Sequence, residues 1–326
     1  MKVIPFTIPL ALWGLMGVAG QSAVHDSGRP PFKDYFDVSP PQPDMTMADC
    51  AFQSGQFYFL FTKADRSELI ATDTAGRVTA NAVAQSPANH IYPRCTGPGV
   101  LAARPTRDNA TMIEEYASDL SHVRTLVIQD AFAGGLCHPQ GFAGLASGTV
   151  TSIDASTGAV RSRPLAAPGD EPLLTAQANR DSFVLLSPFS GTLQHLDFDG
   201  NLKSQALLAG PGLNNLRAVR EDGEGLFAPA ITSYGTGIFA ILAGHSPDTG
   251  LRLQKYSFDG QFVKEWRLPQ LDFEEFRNPR QAGGHLSNST GSLLIGRLFV
   301  AGGSGYIVDT VNGRVAHFAC GKLCGQ

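Results

Sequence analysis

The chain has 326 residues, a formal charge of −4 and only 17 % charged residues. With no block of lysines and arginines, it lacks the clustered basic surface that a nucleic acid or an acidic membrane face selects for. Its 36 glycines and 21 prolines are too many for a helical bundle and are scattered as punctuation rather than massed in one disordered tract.

Residues 1–20 have the anatomy of a secretory signal. Lys2 supplies the charged start, Val3 to Ala19 is mostly apolar, and Val18-Ala19-Gly20 puts small residues before a cleavage point after Gly20. Pro5 and Pro9 interrupt the apolar run, which suits export better than an anchor, and nothing after residue 20 is apolar for the roughly 20 residues a span needs. The mature chain is therefore expected outside the cytoplasm, in a periplasm or secreted. Residues 21–43 read as a Pro-rich leader, with Tyr35–Val38 able to pair as an edge strand, and residues 44–326 as one domain.

Within that domain one turn recurs. It is Asp73-Thr-Ala-Gly76-Arg-Val78, then Asp154-Ala-Ser-Thr-Gly158-Ala-Val160, Asp197-Phe-Asp-Gly200-Asn-Leu202, Ser257-Phe-Asp-Gly260-Gln-Phe262 and Asp309-Thr-Val-Asn-Gly313-Arg-Val315. A copy without glycine, Ser118-Asp-Leu-Ser121-His-Val123, takes Ser121 as its marker. Each copy lies between two short apolar or alternating runs, the mark of a tight hairpin whose glycine supplies positive φ. The markers stand roughly forty to sixty residues apart, a period that signals propeller blades rather than a sandwich. The expected fold is all-β, a six-bladed β-propeller of four-stranded antiparallel blades. The two longest intervals are read as carrying insertions around Ile231–Ser246 and Phe273–Thr290. In the last blade Ser292–Phe299, Gly305–Val308 and Val315–Ala319 are read as the outer three strands. Met112–Leu120 fits a strand better than a helix, and Asp272–Phe276 could be helical.

The units Leu193-Gln-His-Leu-Asp-Phe-Asp-Gly-Asn-Leu202 and Leu253-Gln-Lys-Tyr-Ser-Phe-Asp-Gly-Gln-Phe-Val-Lys-Glu-Trp266 resemble blades of the NHL and TolB-like six-bladed propeller superfamily. The likeness extends over roughly residues 45–319 and implies a fold, not an activity. The enzymatic gluconolactonase/regucalcin branch would need an early glutamate in blade one. Here the first glutamate is Glu68, past the first two strands, so Asp44 or Asp49 would have to substitute.

Propellers place ligands at one mouth of the channel, on loops leading into the innermost strands. Those loops offer His90, Arg94, His138, Asn214, Arg217, Arg280 and His285, a set able to grip an anion or hold a metal. His90, His138 and His285 would be the ligands of a metal site, but no two have a local ligand spacing. Five cysteines, Cys50, Cys95, Cys137, Cys320 and Cys324, suit an oxidising compartment. Cys95–Cys137 would join adjacent inner strands, with Cys50 tied to Cys320 or Cys324; alternatively Cys320 and Cys324 bond to each other. Asn109-Ala-Thr111 and Asn288-Ser-Thr290 match glycosylation acceptors. There is no Gly-x-Ser-x-Gly elbow, no phosphate loop and no haem-attachment motif. The leading expectation is an exported propeller that binds a small molecule, protein or peptide at its mouth. The alternative is a metal-assisted hydrolase or lactonase using one divalent ion near Asp49, Asn214 and His285. A redox role for the inner cysteines and histidines ranks third.

Overall fold

The computed structural model describes residues 32–319, except 107, 109, 130–131, 133–134, 147, 166–173, 188–190, 209–225, 235–236, 245–250, 268–296 and 311–312. Among the described residues every regular element is a strand, and the strands form six antiparallel sheets of four. Sheet one is β2 (Thr46–Gln53), β3 (Gln56–Lys63), β4 (Arg66–Asp73) and β5 (Val78–Val83). Sheet two is β6 (His90–Pro93), β7 (Gly99–Pro105), β8 (Thr111–Ala117) and β9 (His122–Ile128). Sheet three is β10 (Leu136–His138), β11 (Gly141–Ala146), β12 (Thr149–Asp154) and β13 (Val160–Pro164). Sheet four is β14 (Leu174–Asn179), β15 (Ser182–Leu186), β16 (Thr192–Asp197) and β17 (Leu202–Leu207). Sheet five is β18 (Leu226–Tyr234), β19 (Gly237–Gly244), β20 (Leu251–Ser257) and β21 (Phe262–Arg267).

The sixth sheet is assembled from both ends of the chain. β22 (Arg297–Ala301), β23 (Ser304–Asp309) and β24 (Arg314–Ala319) follow in order, and β1 (Phe32–Asp37) completes the sheet beside β24. Tyr35 faces Ala316 and Asp37 faces Arg314 in the β1–β24 register, and the Arg314 Nε donates to Asp37 at 2.8 Å. The leading strands close the ring: β2 lies against β6, β10 against β14, β14 against β18, β18 against β22, and β22 returns to β2.

Second strands explain why the sequence reads as unbroken apolar runs. Phe57, Tyr58, Phe59, Leu60 and Phe61 of β3 are all buried. Successive side chains of a strand point to opposite faces, so Phe57, Phe59 and Phe61 pack with Tyr306 and Val308 of the sixth sheet. Tyr58 and Leu60 pack with Val100 and Ala102 of the second. β15 repeats this, with Phe183 and Leu185 against the third sheet and Val184 and Leu186 against the fifth. The fourth strands β5 and β17 alternate instead, leaving Val78, Val83, Leu202 and Leu207 exposed at the rim.

The recurring turn is the hairpin between third and fourth strands, and it does more than reverse the chain. Asp73 Oδ1 accepts from the N–H groups of Ala75 and Arg77, and Asp197 does the same for Asp199 and Asn201. Each turn then leans on the outer strand of the preceding blade. Gly76, at φ 79°, lies so close to Phe36 that a Cβ there would sit 2.6 Å from its ring, and a Cβ on Gly200 would sit 2.7 Å from the Pro164 carbonyl oxygen. In blade two the equivalent position is Leu120, one residue before the expected marker Ser121. Its N–H donates to Ala117 O as Gly76 donates to Asp73 O. Leu120 takes φ 61° and buries its side chain in the apolar cluster between blades one and two, against which Ala80 and Ala82 of β5 also pack. About 1–2 kcal/mol of left-handed strain is offset there by burying a leucine.

Three expectations are corrected. Ile231–Ser246 is no insertion, since β18 and β19 occupy most of it as a paired hairpin. Gly313 belongs to the hairpin between the second and third strands of its blade, not the third and fourth. For the same reason β22–β24 are the inner three strands rather than the outer three, because β1 supplies the outermost. Met112–Leu120 is a strand as expected, being mostly β8, while Asp272–Phe276 and Phe273–Thr290 lie outside the described residues.

Gly76→Ala should cost about 2 kcal/mol, from the positive φ and the collision with Phe36. The measure is the urea midpoint, and an unchanged midpoint would show that the turn does not seat on β1.

Candidate functional site

The inner strands are short, and this decides where the sequence-derived residues fall. β6 is four residues long and β10 three. His90 opens β6, whereas Arg94 follows its last residue and His138 is the last residue of β10. The structure therefore puts His90 at one end of the inner wall and Arg94 and His138 at the other. Asn214, Arg217, Arg280 and His285 lie outside the described residues, as do Asn109 and Asn288.

At the His90 end the dominant group is Asp49 of β2, 2 % exposed. A register shift between Met47 and Asp49 marks a bulge just before it. Its Oδ1 accepts from its neighbour's N–H, Cys50, at 2.8 Å and from Arg297 Nε at 2.9 Å, with Arg297 Nη2 2.7 Å away. Its Oδ2 accepts from Ile91 N–H at 3.1 Å and stands 3.7 Å from His90 Nδ1. One carboxylate thus binds blades six, one and two. Burial alone would raise its pKa; the Arg297 charge, His90 and the Ile91 amide outweigh that and hold it below the ordinary 3.8. Asp49 raises the Arg297 guanidinium in turn. With both oxygens on protein donors and a guanidinium alongside, Asp49 does not fit as a ligand for a divalent cation or as a general base.

The opposite end carries a second tie that the sequence did not reveal. Glu115 of β8, 3 % exposed at its side chain, accepts from Arg94 and from Arg124 of β9. Arg124 also donates to the Ala155 carbonyl of blade three. Burial opposes ionisation of Glu115, and the two arginines more than compensate, keeping its pKa low. Beside it Cys95 and Cys137 form a disulfide, with Cα atoms 5.2 Å apart, so the expected bridge between blades two and three is present. Cys50 is buried and takes no part in that bridge; Cys320 and Cys324 lie outside the described residues.

His138 turns toward blade four. Its ring meets Phe198 edge-on at 5.0 Å, and Gln140 N–H donates to its Nδ1 at 3.2 Å. It lines a groove with Pro139, Gln140, Ser152, Arg161, Arg163 and, from blade four, Asp199. Sequence reasoning missed Arg161, Arg163 and Asp199. The available signal was Arg161-Ser-Arg163 on a strand with no buried residue.

Comparison with known proteins adds the class. The chain is similar in fold to a member of the DUF4221 family from Bacteroides vulgatus, at TM-score 0.56 and 9 % identity over 87 % of this chain and 95 % of that one. It is also similar to an inactive virginiamycin B lyase from Staphylococcus aureus with quinupristin, at 0.52 and 11 % over 88 % of each chain. A luciferin-regenerating enzyme matches at 0.52 and 10 % over 88 % and 95 %. No family model matches, and neither does any curated protein sequence. The class is the six-bladed β-propeller, and at these identities the likeness is one of fold.

Asp49→Asn should destabilise the ring by about 1–2 kcal/mol, because the charge-assisted hydrogen bonds to the buried carboxylate weaken while the half-exposed Arg297 regains water. A carboxyl with depressed pKa gives its full stabilisation above 3.8 and loses it as the pH falls through the folded value. The gap between wild type and variant in urea unfolding should therefore close on acidification below about pH 4, and a pH-independent gap would contradict this account. Cys95→Ser with Cys137→Ser should cost about 3–4 kcal/mol by the loop-closure relation, read as a lower urea midpoint that dithiothreitol no longer affects. An equal midpoint would remove the bridge as a stabiliser.

Proposed function

We propose that the chain is an exported binding propeller, a rigid ring that presents a small-molecule or peptide site at its channel mouth. The observation that carries the reading is the commitment of Asp49. The buried acid at the described part of the mouth is engaged by Arg297 and two backbone amides, so it serves the frame of a site rather than its chemistry. His90, about one third exposed at its side chain, remains there for contact with a ligand, beside Tyr92 at 6.2 Å between rings. In this reading Asn214, Arg217, Arg280 and His285 belong to the same mouth.

Export is supported by the apolar segment ending at Gly20 and by the Cys95–Cys137 bridge, since such bonds persist in oxidising compartments. No helix among the described residues is long and apolar enough to cross a membrane.

Two measurements test the proposal. Full-length chain expressed in a Gram-negative host should be recovered from the periplasm beginning at Gln21; intact chain retained in the cytoplasm would count against export. A thermal-shift screen of the mature protein should find stabilising ligands whose effect is lost in His90→Ala. Turnover of lactones or phosphoesters that depends on an added divalent cation would replace the binding role with a hydrolytic one.

A further inference from the structure

The groove between blades three and four gathers a second set of polar side chains, away from Asp49 and His90. Ser152 and Arg161 are direct partners across β12 and β13, and Arg163 lies two residues further along β13. Directly paired residues and residues two apart share a sheet face, so all three project on one side. That side faces blade four, because Val150, two residues before Ser152, packs with Phe183 and Phe198. Both arginines are exposed. The Arg163 Nε is 4.0 Å from Asp199 Oδ1, at the outer limit of an ion pair, with both side chains more than half exposed. Such a contact is weak and leaves both groups available to a ligand.

His138 completes the donor set. Because Gln140 N–H donates to Nδ1, the neutral ring carries its proton on Nε2. Burial lowers the His138 pKa, and Arg161 pushes the same way against Asp199, Asp154 and Asp181, so neutral imidazole prevails at pH 7. Asp154 uses its own carboxylate to accept from Ser156 and Thr157. The groove thus offers two guanidiniums and an imidazole N–H as donors, the Ser152 hydroxyl donating instead to the Arg161 carbonyl at 3.3 Å, with the Asp199 carboxylate on the far wall and the Pro139 ring as an apolar patch. Its volume of about 250 Å³ suits a ligand of monosaccharide size.

We propose that this groove is a second binding site, specific for a small hydroxylated anion such as an acidic monosaccharide or a sugar phosphate. Arg161 and Arg163 hold the anionic oxygens with paired donors, which lysine would not reproduce. Asp199 accepts from a neighbouring hydroxyl, and the sugar's C–H face rests on Pro139. Its inner residues His138 and Pro139 lie at the end of β10 away from the proposed mouth, and the site does not depend on what the mouth binds.

Calorimetric titration of the mature protein with glucuronate, glucose 6-phosphate, inorganic phosphate and neutral glucose tests it. The two sugar anions should bind and glucose should not. Arg161→Ala with Arg163→Ala should weaken both at least tenfold, about 1.4 kcal/mol, while circular dichroism stays native because both residues are exposed. Asp199→Ala should weaken the sugar anions more than inorganic phosphate. Glucuronate in preference to glucose 6-phosphate would identify the acidic-sugar form, and the reverse order the phosphate form. Binding unchanged in the double variant, glucose binding as well as its anions, or no heat from either sugar anion would overturn the proposal.

Discussion

A ring of sheets has one seam, and here the seam is closed by hydrogen bonds between strands 277 residues apart in sequence. Every other blade can be completed by a local hairpin; the sixth waits for β1 to lie against β24. Once that pairing exists, the neighbouring contacts follow from geometry. Phe36 becomes the surface on which Gly76 seats, Val38 N–H donates to Gly313 O at 2.6 Å, and Phe36 meets Phe57 at 5.8 Å between rings. Asp49 and Arg297 reinforce the same seam on the inner wall. Blades one and six are thereby held at the rim by backbone pairing and near the axis by the ion pair of buried Asp49 with half-exposed Arg297.

The fold was legible because hairpins write themselves locally. Glycine with positive φ three or four residues after an Asp or Ser is a short-range signal, and it marked the third-to-fourth hairpin of four blades directly. It misled where one local motif serves two places. Gly313 also has positive φ, but its hairpin lies one strand further in, and only the remote position of β1 distinguishes the two. Blade two was displaced by one residue because Leu120 adopts a backbone conformation that leucine rarely takes, bought by its burial between blades one and two. The β18–β19 hairpin was hidden for a simpler reason: a long interval between markers looks like an insertion when its strands carry no Asp-Gly between them.

The sites were less legible than the frame. Loop sequences say which polar residues lie near an inner strand but not at which end, and a strand of three or four residues is crossed within a single motif. His90 and Arg94 are four apart in sequence and sit at opposite ends of β6. The Asp49–Arg297 pair spans 248 residues and leaves no periodic trace. The Cys95–Cys137 bridge was readable because similar positions in adjacent blades are brought near each other by symmetry. The groove residues come from different elements, with Arg161 and Arg163 on one rim strand and Asp199 on the next blade's turn.

The split sixth sheet also sets an order of events. As the chain is made or threaded from its N-terminus, β1 appears first and its partner β24 last, so no closed ring can exist until almost the whole polypeptide has emerged. The early blades must wait with an open flank, Phe57, Phe59 and Phe61 lacking the neighbour that covers them.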